Sequence, residues 1–236
     1  MKLRKNSKFT SILSSLGEQG LGEDIDIKLV ILGEGNIGKT SIINKFLDNE
    51  IPDKYIPTIG YKINHKEYIL GNKKIRINIW DCCGKKAFNE VNPAVYNNID
   101  GAFLVFDLSR TEETLKNLKK DHVNHLDYYW KEEEGILFFI GNKLDLVLVN
   151  KDLEHVKNYL SEDDLIIAVS ALTGENVNEC FELLVYTVLK QTNRNEVAEE
   201  FIQFIGKTEG ELISQVIDIA NIDILLLKEK VKHLEK

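Results

Sequence analysis

The chain has 236 residues, of which 43% are hydrophobic, and its formal charge at pH 7 is −8. This length is enough for one core of ordinary size with further elements at its ends. The acidic balance argues against general nucleic-acid binding, which needs a basic face. Because no apolar run of about 18 residues occurs, no transmembrane helix is expected.

The first segment, residues 1–26, is predicted to be a flexible tail. It begins with a small basic cluster of Lys2, Arg4, Lys5 and Lys8, and no apolar signal core follows. Four positive charges bind an anionic membrane only weakly, so a solvated tail is favoured over weak or indirect membrane contact. Residue 2 is not the glycine that myristoylation needs, and no cysteine for prenylation stands near residue 236, so no lipid anchor is expected.

The three cysteines, Cys82, Cys83 and Cys180, fit neither a disulfide framework nor a zinc site. A reducing, cytoplasmic setting is therefore expected, with a position at the periphery of a membrane as the alternative.

Predicted strands and helices alternate along residues 27–193. Short apolar runs predict strands at 27–32, 61–69, 74–80, 102–106, 136–140 and 165–169. Amphipathic patterns predict helices at 39–47, 112–130, 153–160 and 177–190. This alternation predicts an α/β fold: a six-stranded, mostly parallel sheet with helices on both faces and one antiparallel edge strand.

Residues 194–236 are predicted to form a helical extension, with a short helix at 196–205, a break at 206–210 and a long final helix. Apolar residues in the final helix follow a heptad seam: Ile213, Ile217, Ala220, Ile224, Leu227, Val231 and Leu234. Such a stripe must be covered. A coiled coil through 211–234, formed with another copy or with a partner helix, is the preferred prediction, and packing against the chain's own domain is the alternative.

A phosphate-binding loop is predicted at residues 33–40, where the sequence fits G-x-x-x-x-G-K-[ST] at every fixed position. Glycines allow successive backbone N–H groups to point at phosphate oxygens, and the following helix adds the positive end of its dipole. Lys39 is expected to neutralise the terminal phosphates. The Thr40 hydroxyl suits Mg²⁺, which prefers oxygen ligands.

Two later segments carry residues suited to recognising guanine. Asn142-Lys143-Leu144-Asp145 follows an apolar strand and matches N-K-x-D. The Asp145 carboxylate can accept two hydrogen bonds from guanine, whereas adenine offers no such donor pair. Ser170-Ala171-Leu172 resembles the motif whose backbone N–H meets guanine O6. The chain is therefore identified as similar to the Ras superfamily, nearest its Rab-like branch, over about residues 27–191.

The resemblance extends to two switch loops. Thr58, in Thr-Ile-Gly, would sense the γ-phosphate through Mg²⁺. Asp81, in a segment similar to W-D-T-A-G, would hold Mg²⁺ through a water, and the Gly84 N–H would bond the γ-phosphate. Loss of that phosphate would release both loops. The partners implied are effectors, exchange factors and activating proteins that bind these loops.

The resemblance implies three sets of site residues. The catalytic set is Lys39, Thr58, Gly84 and Lys85. The GTP- or GDP-binding set is Gly35, Asn36, Ile37, Gly38, Lys39, Thr40, Ser41, Thr58, Gly84, Asn142, Lys143, Asp145, Ser170, Ala171 and Leu172. The Mg²⁺ set is Thr40, Thr58 and Asp81.

The sequence departs from the family pattern at three places. Lys85 stands where the family has a glutamine that orients the attacking water, and an ammonium has no acceptor for that water. Ile51 stands where the family places an aromatic residue under the guanine. Cys82 and Cys83 replace Thr-Ala and are interpreted as small side chains at a tight turn.

The sequence thus predicts a GTP-binding switch that hydrolyses GTP slowly, in membrane traffic or signalling. The rival hypothesis is a hydrolysis-deficient, GTP-bound scaffold that acts through its C-terminal helix. Lys85 and the heptad seam favour the scaffold, whereas the phosphate, Mg²⁺ and guanine motifs favour the switch. A P-loop kinase is a poor third interpretation because N-K-x-D would have no task in it.

Overall fold

The computed structural model describes residues 24–51, 56–84, 93–123, 126, 135–147, 156, 160 and 164–220, with side chains to residue 214. Its strands are β1 (Asp24–Leu32), β2 (Tyr61–Leu70), β3 (Lys73–Cys82), β4 (Gly101–Asp107), β5 (Ile136–Asn142) and β6 (Leu165–Ala168). Its helices are α1 (Lys39–Phe46), α2 (Pro93–Tyr96), α3 (Thr111–Leu118), α4 (Val177–Gln191), α5 (Asn195–Phe204) and α6 (Glu209–Ala220).

The six strands form one sheet in the order β2-β3-β1-β4-β5-β6. β2 pairs antiparallel with β3, and the other neighbours are parallel. The predicted α/β fold with one antiparallel edge strand is therefore confirmed. Parallel strands carry their carboxyl ends to one edge of the sheet, where ligands bind in folds of this class.

Each face of the sheet has its own hydrophobic core. One core joins the sheet to α1, α4, α5 and α6, and it includes stacked rings of Phe46 and Phe181 at 3.8 Å. The other joins the sheet to α2 and α3. Alternate strand residues supply the two faces, because successive side chains of a strand point to opposite sides.

Three predicted boundaries differ from the structure. β1 begins at Asp24, inside the segment predicted to be a flexible tail, and its residues pair with β3 from Asp24↔Lys74 onward. The helix predicted at 112–130 begins at Thr111 as α3 and continues as a π-helical segment at Lys119–Val123. The predicted break at 206–210 ends earlier, because α6 begins at Glu209.

The C-terminal extension packs against the domain as far as its side chains are described. α5 contacts α4 and β2, whereas α6 contacts α4 and β6, so the two helices reach opposite edges of the sheet. The connection between them is held to α4 by Lys207, whose Nζ lies 2.8 Å from Glu182 and 3.5 Å from Glu179. Leu212 is fully buried and Ile213, the first seam residue, is 9% exposed.

Leu212 and Ile213, at the start of the final helix, are covered by the chain's own domain. The side chains at the other seam positions, from Ile217 to Leu234, lie outside the described residues, so the choice between a coiled coil and packing against the domain stays a prediction. Among the residues that the structure describes, no helix is long and apolar enough to cross a membrane.

Candidate functional site

The phosphate loop curls between β1 and α1 because its backbone adopts left-handed conformations at Gly38 (φ 94°) and Asn36 (φ 63°). A Cβ on Gly38 would lie 2.2 Å from Nδ2 of Asn142, so this glycine is required by close packing as well as by its φ. The Gly33 position is equally closed, with a Cβ placed 2.4 Å from the Val105 carbonyl oxygen. Close packing and backbone conformation thus require glycine at both positions of the loop.

Lys39 lies at the start of α1 with only 6% of its surface exposed. Its Nζ donates to the carbonyl oxygens of Gly33 at 2.8 Å and Glu34 at 2.6 Å. Burial lowers the pKa of Lys39 to about 8, and the nearby Asp81 partly opposes this shift. A bound phosphate group would supply the opposite charge that stabilises the protonated form of this buried side chain.

The three residues predicted to hold Mg²⁺ meet at one point although they come from three segments. The Thr40 hydroxyl donates to Oδ2 of Asp81 at 2.7 Å, and the Thr58 hydroxyl lies 3.3 Å from the same oxygen. The two hydroxyl oxygens are 3.2 Å apart. Asp81 is 1% exposed, and burial raises its pKa against the effect of these bonds.

The other oxygen of Asp81, Oδ1, is buried and has no hydrogen-bond partner among the described residues. A buried carboxylate oxygen without a partner is costly, and a cation or its bound water would satisfy it. This set of hard oxygen donors fits Mg²⁺. Thr40, Thr58 and Asp81 are the residues that would hold it.

Gly84 brings the second switch segment onto the phosphate loop. A Cβ at this position would lie 2.2 Å from Gly35 N and from the Glu34 carbonyl carbon, so only glycine allows this approach. The preceding residue, Cys83, donates its backbone N–H to the Gly60 carbonyl at 2.8 Å. The two switch segments therefore contact each other beside the phosphate loop. Lys85 lies outside the described residues.

Asn142 joins three loops at the carboxyl end of β5. Its Nδ2 donates to the Ile37 carbonyl at 2.8 Å, and its Oδ1 accepts from Ala171 N at 3.1 Å. The Ser170 hydroxyl donates to Oδ1 of Asp145 at 2.6 Å and so orients that exposed carboxylate. The exposed Asp145 carboxylate is thus available to accept hydrogen bonds from a ligand. The two residues that hold this corner together, Asn142 and Ser170, are buried.

Asp107, a residue that the sequence interpretation missed, anchors Lys143. The Lys143 Nζ lies 2.7 Å from Oδ2 of Asp107, whose side chain is fully buried. Burial would raise the pKa of Asp107, but bonds from Lys143 and Ser109 outweigh it and the pKa is lowered. An aspartate at the end of an apolar strand was the available signal, because parallel strands deliver such residues to the ligand edge.

One cleft of about 780 Å³ connects these corners. Most predicted site residues line it, as do Ile51, Lys62, Leu146 and the exposed Ile56 and Ile59. The predicted residues on its wall are Gly35, Asn36, Gly38, Lys39, Thr40, Ser41, Thr58, Asp81, Gly84, Asn142, Lys143, Asp145, Ala171 and Leu172.

Two predicted binding residues support the cleft from behind. The Ile37 side chain is fully buried, and the backbone carbonyl of this residue accepts from Asn142. Ser170 is likewise buried and acts through its bond to Asp145. A cleft of this size holds a drug-sized ligand.

A Ras family model matches residues 28–190 of the chain. The chain belongs to the Ras family. Among its relatives, Ras-related protein RABC1 of Arabidopsis thaliana is 30% identical over 172 residues, covering 71% of this chain and 79% of that protein. Ras-related protein RABC2a of the same plant is 28% identical over 186 residues, covering 75% and 83%. Human Ras-related protein Rab-12 is 29% identical over 194 residues, covering 79% and 78%.

These relatives place the chain among the Rab-like small GTPases of the Ras superfamily, as its motifs predict. Ras-family membership makes it a small GTP-binding switch protein. The match ends at residue 190, so α5 and α6 lie outside the family domain.

An aromatic pair joins the two switch regions of this Ras-family domain. Tyr61, which begins β2 just after the first switch, stacks on Trp80 at 4.8 Å. The Lys28 ammonium lies 4.3 Å from the Trp80 ring centre and donates to the carbonyls of Ala94 and Asn97, both at 2.6 Å. Lys28 thus ties α2 and the residue that follows it, Asn97, to the aromatic pair.

Proposed function

We propose that this Ras-family chain is a Mg²⁺-dependent switch that binds GTP and GDP and hydrolyses GTP slowly. The observation that supports this proposal best is one cleft that joins Lys39, the Thr40–Asp81 pair and Asp145, whose carboxylate is oriented by Ser170. A nucleoside triphosphate spans these three corners, with its phosphates at Lys39 and its base at Asp145. A site for phosphate alone would not need Asp145, and a site for a base alone would not need Lys39 or the Thr40–Asp81 pair.

Each corner has a separate task in this proposal. Lys39 and the backbone N–H groups of the phosphate loop bind the β- and γ-phosphates. Thr40, Thr58 and Asp81 hold Mg²⁺, which when bound neutralises charge that develops on the phosphate oxygens. The Asp145 carboxylate accepts hydrogen bonds from guanine and excludes adenine.

Slow hydrolysis is proposed from the sequence at Lys85. An ammonium cannot accept a hydrogen bond from the attacking water, so the water would be poorly oriented. The rival proposal is a scaffold that stays GTP-bound, and Lys85 supports it as well, because impaired hydrolysis would leave GTP in the site. In that proposal the final helix, 211–234, recruits a second copy or a partner helix, although Leu212 and Ile213 are already covered.

The partners proposed for the switch are effectors, exchange factors and activating proteins. Ile56 and Ile59 of the first switch are 71% and 77% exposed, and such apolar side chains form protein contacts. The similarity to Rab-like proteins supports a role in membrane traffic. Cys82, Cys83 and Cys180 are buried and lie outside any disulfide, which supports the proposal of a cytoplasmic protein that is at most peripheral to a membrane.

Two measurements test the proposal. Chromatography of the nucleotide released from the purified protein should identify GTP or GDP, and calorimetry should show binding of both with Mg²⁺ but not of ATP. Equal affinity for ATP and GTP would refute guanine selectivity. Single-turnover hydrolysis then separates a slow switch from a permanently GTP-bound scaffold, which shows no turnover.

Lys85→Gln tests the role assigned to that residue. The substitution should raise the single-turnover rate about tenfold or more, equivalent to about 1.4 kcal/mol or more in the barrier. Lys86→Gln is the matched control and should leave the rate unchanged. A Lys85→Gln protein that hydrolyses GTP no faster than the wild type contradicts the assignment.

A further inference from the structure

The C-terminal extension grips the β2–β3 hairpin next to its turn. Phe201 of α5 is fully buried and meets the Tyr68 ring edge-on, with ring centres 5.1 Å apart. Phe204 meets the same ring from 6.1 Å. Lys73 Nζ forms an ion pair with Glu200 Oε1 at 2.7 Å. Aromatic packing and a charge pair thus fix one helix to both strands of the hairpin.

The opposite end of the same hairpin forms part of the nucleotide cleft. The ladder runs without interruption from Leu70↔Lys73 at the turn to Tyr61↔Cys82 at the cleft. Lys62↔Asp81 is the pair next to the cleft end. Lys62, Asp81 and Cys82 line the cleft. β3 is paired with β2 along its whole length and with β1 from Asp24↔Lys74 to Ile31↔Asp81, so it cannot slide. Loosening of the hairpin at its turn reaches Asp81 as increased motion of the paired strands, which weakens the contact with Thr40.

A second contact connects the hairpin with the helix that follows the phosphate loop. The Lys66 Nζ donates to the Phe46 carbonyl at 3.1 Å and lies 4.9 Å from the centre of that ring. Phe46 stacks on Phe181 of α4, the helix to which Lys207 attaches the extension through Glu179 and Glu182. The hairpin, α1, α4 and the extension are therefore packed as one body on this face.

We propose that α5 is an intramolecular brake on nucleotide release: while docked, it holds the β2–β3 hairpin in the position at which Asp81 meets Thr40 and Thr58. Undocking of α5 loosens the turn end of the hairpin, lets the paired strands move more at Asp81 and speeds release. A protein that binds the extension would therefore act on the nucleotide site from the far end of the hairpin. This inference rests on the proposed guanine-nucleotide binding.

The test measures release of a fluorescent GDP analogue from full-length protein by stopped flow. Lys73→Glu and Glu200→Lys each replace the ion pair with a like-charge pair and should speed release about two- to fivefold. The double variant Lys73→Glu/Glu200→Lys recreates the pair and should release at the wild-type rate. Lys74→Glu is the matched control, because Lys74 pairs with Asp24, 3.1 Å away, and not with the extension.

Phe201→Leu weakens the aromatic contact and should speed release about fivefold or more. Should this variant fail to fold, the charge-reversal series alone decides. Three outcomes would each overturn the brake. The charge-reversal variants release the GDP analogue at the wild-type rate, Lys74→Glu speeds release as much as Lys73→Glu does, or the double variant releases as fast as the single variants. Wild-type protein without affinity for GDP would refute the proposed function itself, whereas normal GDP binding with equal release rates refutes only the brake.

Discussion

Replacing Asp81 with asparagine should have opposite effects on the nucleotide-free protein and on the Mg²⁺ complex. Asp81 is 1% exposed, its Oδ1 has no partner among the described residues, and burial raises its pKa above the ordinary value of 3.8. The ionised side chain therefore destabilises the ligand-free fold at neutral pH. A buried polar group without a partner costs about 1–3 kcal/mol.

Asp81→Asn should therefore raise the free energy of unfolding of the nucleotide-free protein by about 1 kcal/mol. The unpaired oxygen of a buried carboxylate costs more than the unpaired amide N–H₂ that replaces it, and the amide oxygen still accepts from Thr40. The same change should abolish the extra stability that Mg²⁺ adds to the GDP complex, since the amide is a poor ligand for the metal's water. Urea unfolding with EDTA, and then with GDP with and without Mg²⁺, measures both quantities.

Asp107→Asn is the matched control, and it should change the free energy of unfolding in the opposite direction. Asp107 is equally buried, but Lys143 and Ser109 lower its pKa, so its charge stabilises the fold and the variant should lose about 1–3 kcal/mol. The pH dependences also differ. The Asp107 contribution is present above pH 3.8 and is lost as pH falls through its lowered pKa, whereas the Asp81 penalty disappears as pH falls through its raised pKa. Loss of stability in both variants would refute the assignment at Asp81.

Three further outcomes are expected. Asp145→Asn should weaken GTP binding and favour xanthosine triphosphate, measured by competition; a variant that still prefers GTP contradicts the guanine contact. Ile51→Phe adds a ring beneath the base, worth about 0.5–1.5 kcal/mol, and should slow GDP release about two- to tenfold; unchanged release refutes this. A chain ending at Asn193 loses buried Phe201 and Leu212 and should be at least about 3 kcal/mol less stable by urea unfolding. If light scattering shows a full-length oligomer and a truncated monomer, the extension also mediates association.

Local sequence patterns predicted the strands and the cleft well because each rests on a short-range signal. Apolar runs mark the buried strands, and the glycine spacing of the phosphate loop identifies the turn before α1. The start of β1 was missed although Asp24-Ile25-Asp26-Ile27 alternates with period two, because its aspartates suggested a tail. In the structure these aspartates are exposed while Ile25 and Ile27 are buried.

Long-range packing was not predictable in the same way. The seam in the final helix shows that a face must be buried, but not that α4 and β6 cover its start. The same holds for the Lys143–Asp107 pair, whose members lie far apart in the chain and meet because β4 and β5 are parallel neighbours. A sequence pattern specifies which residues need a partner, and only the fold specifies which partner they find.

The position of Trp80 gives the protein an optical property. The chain has two tryptophans, and Trp80 contacts both the Tyr61 ring and the Lys28 ammonium, on the strand that carries Asp81. Indole emission depends on the charge and solvent around the ring, so movement of either neighbour changes the colour or intensity of the light. With Trp130 replaced by phenylalanine, the remaining emission reports on the two switch regions without any attached dye.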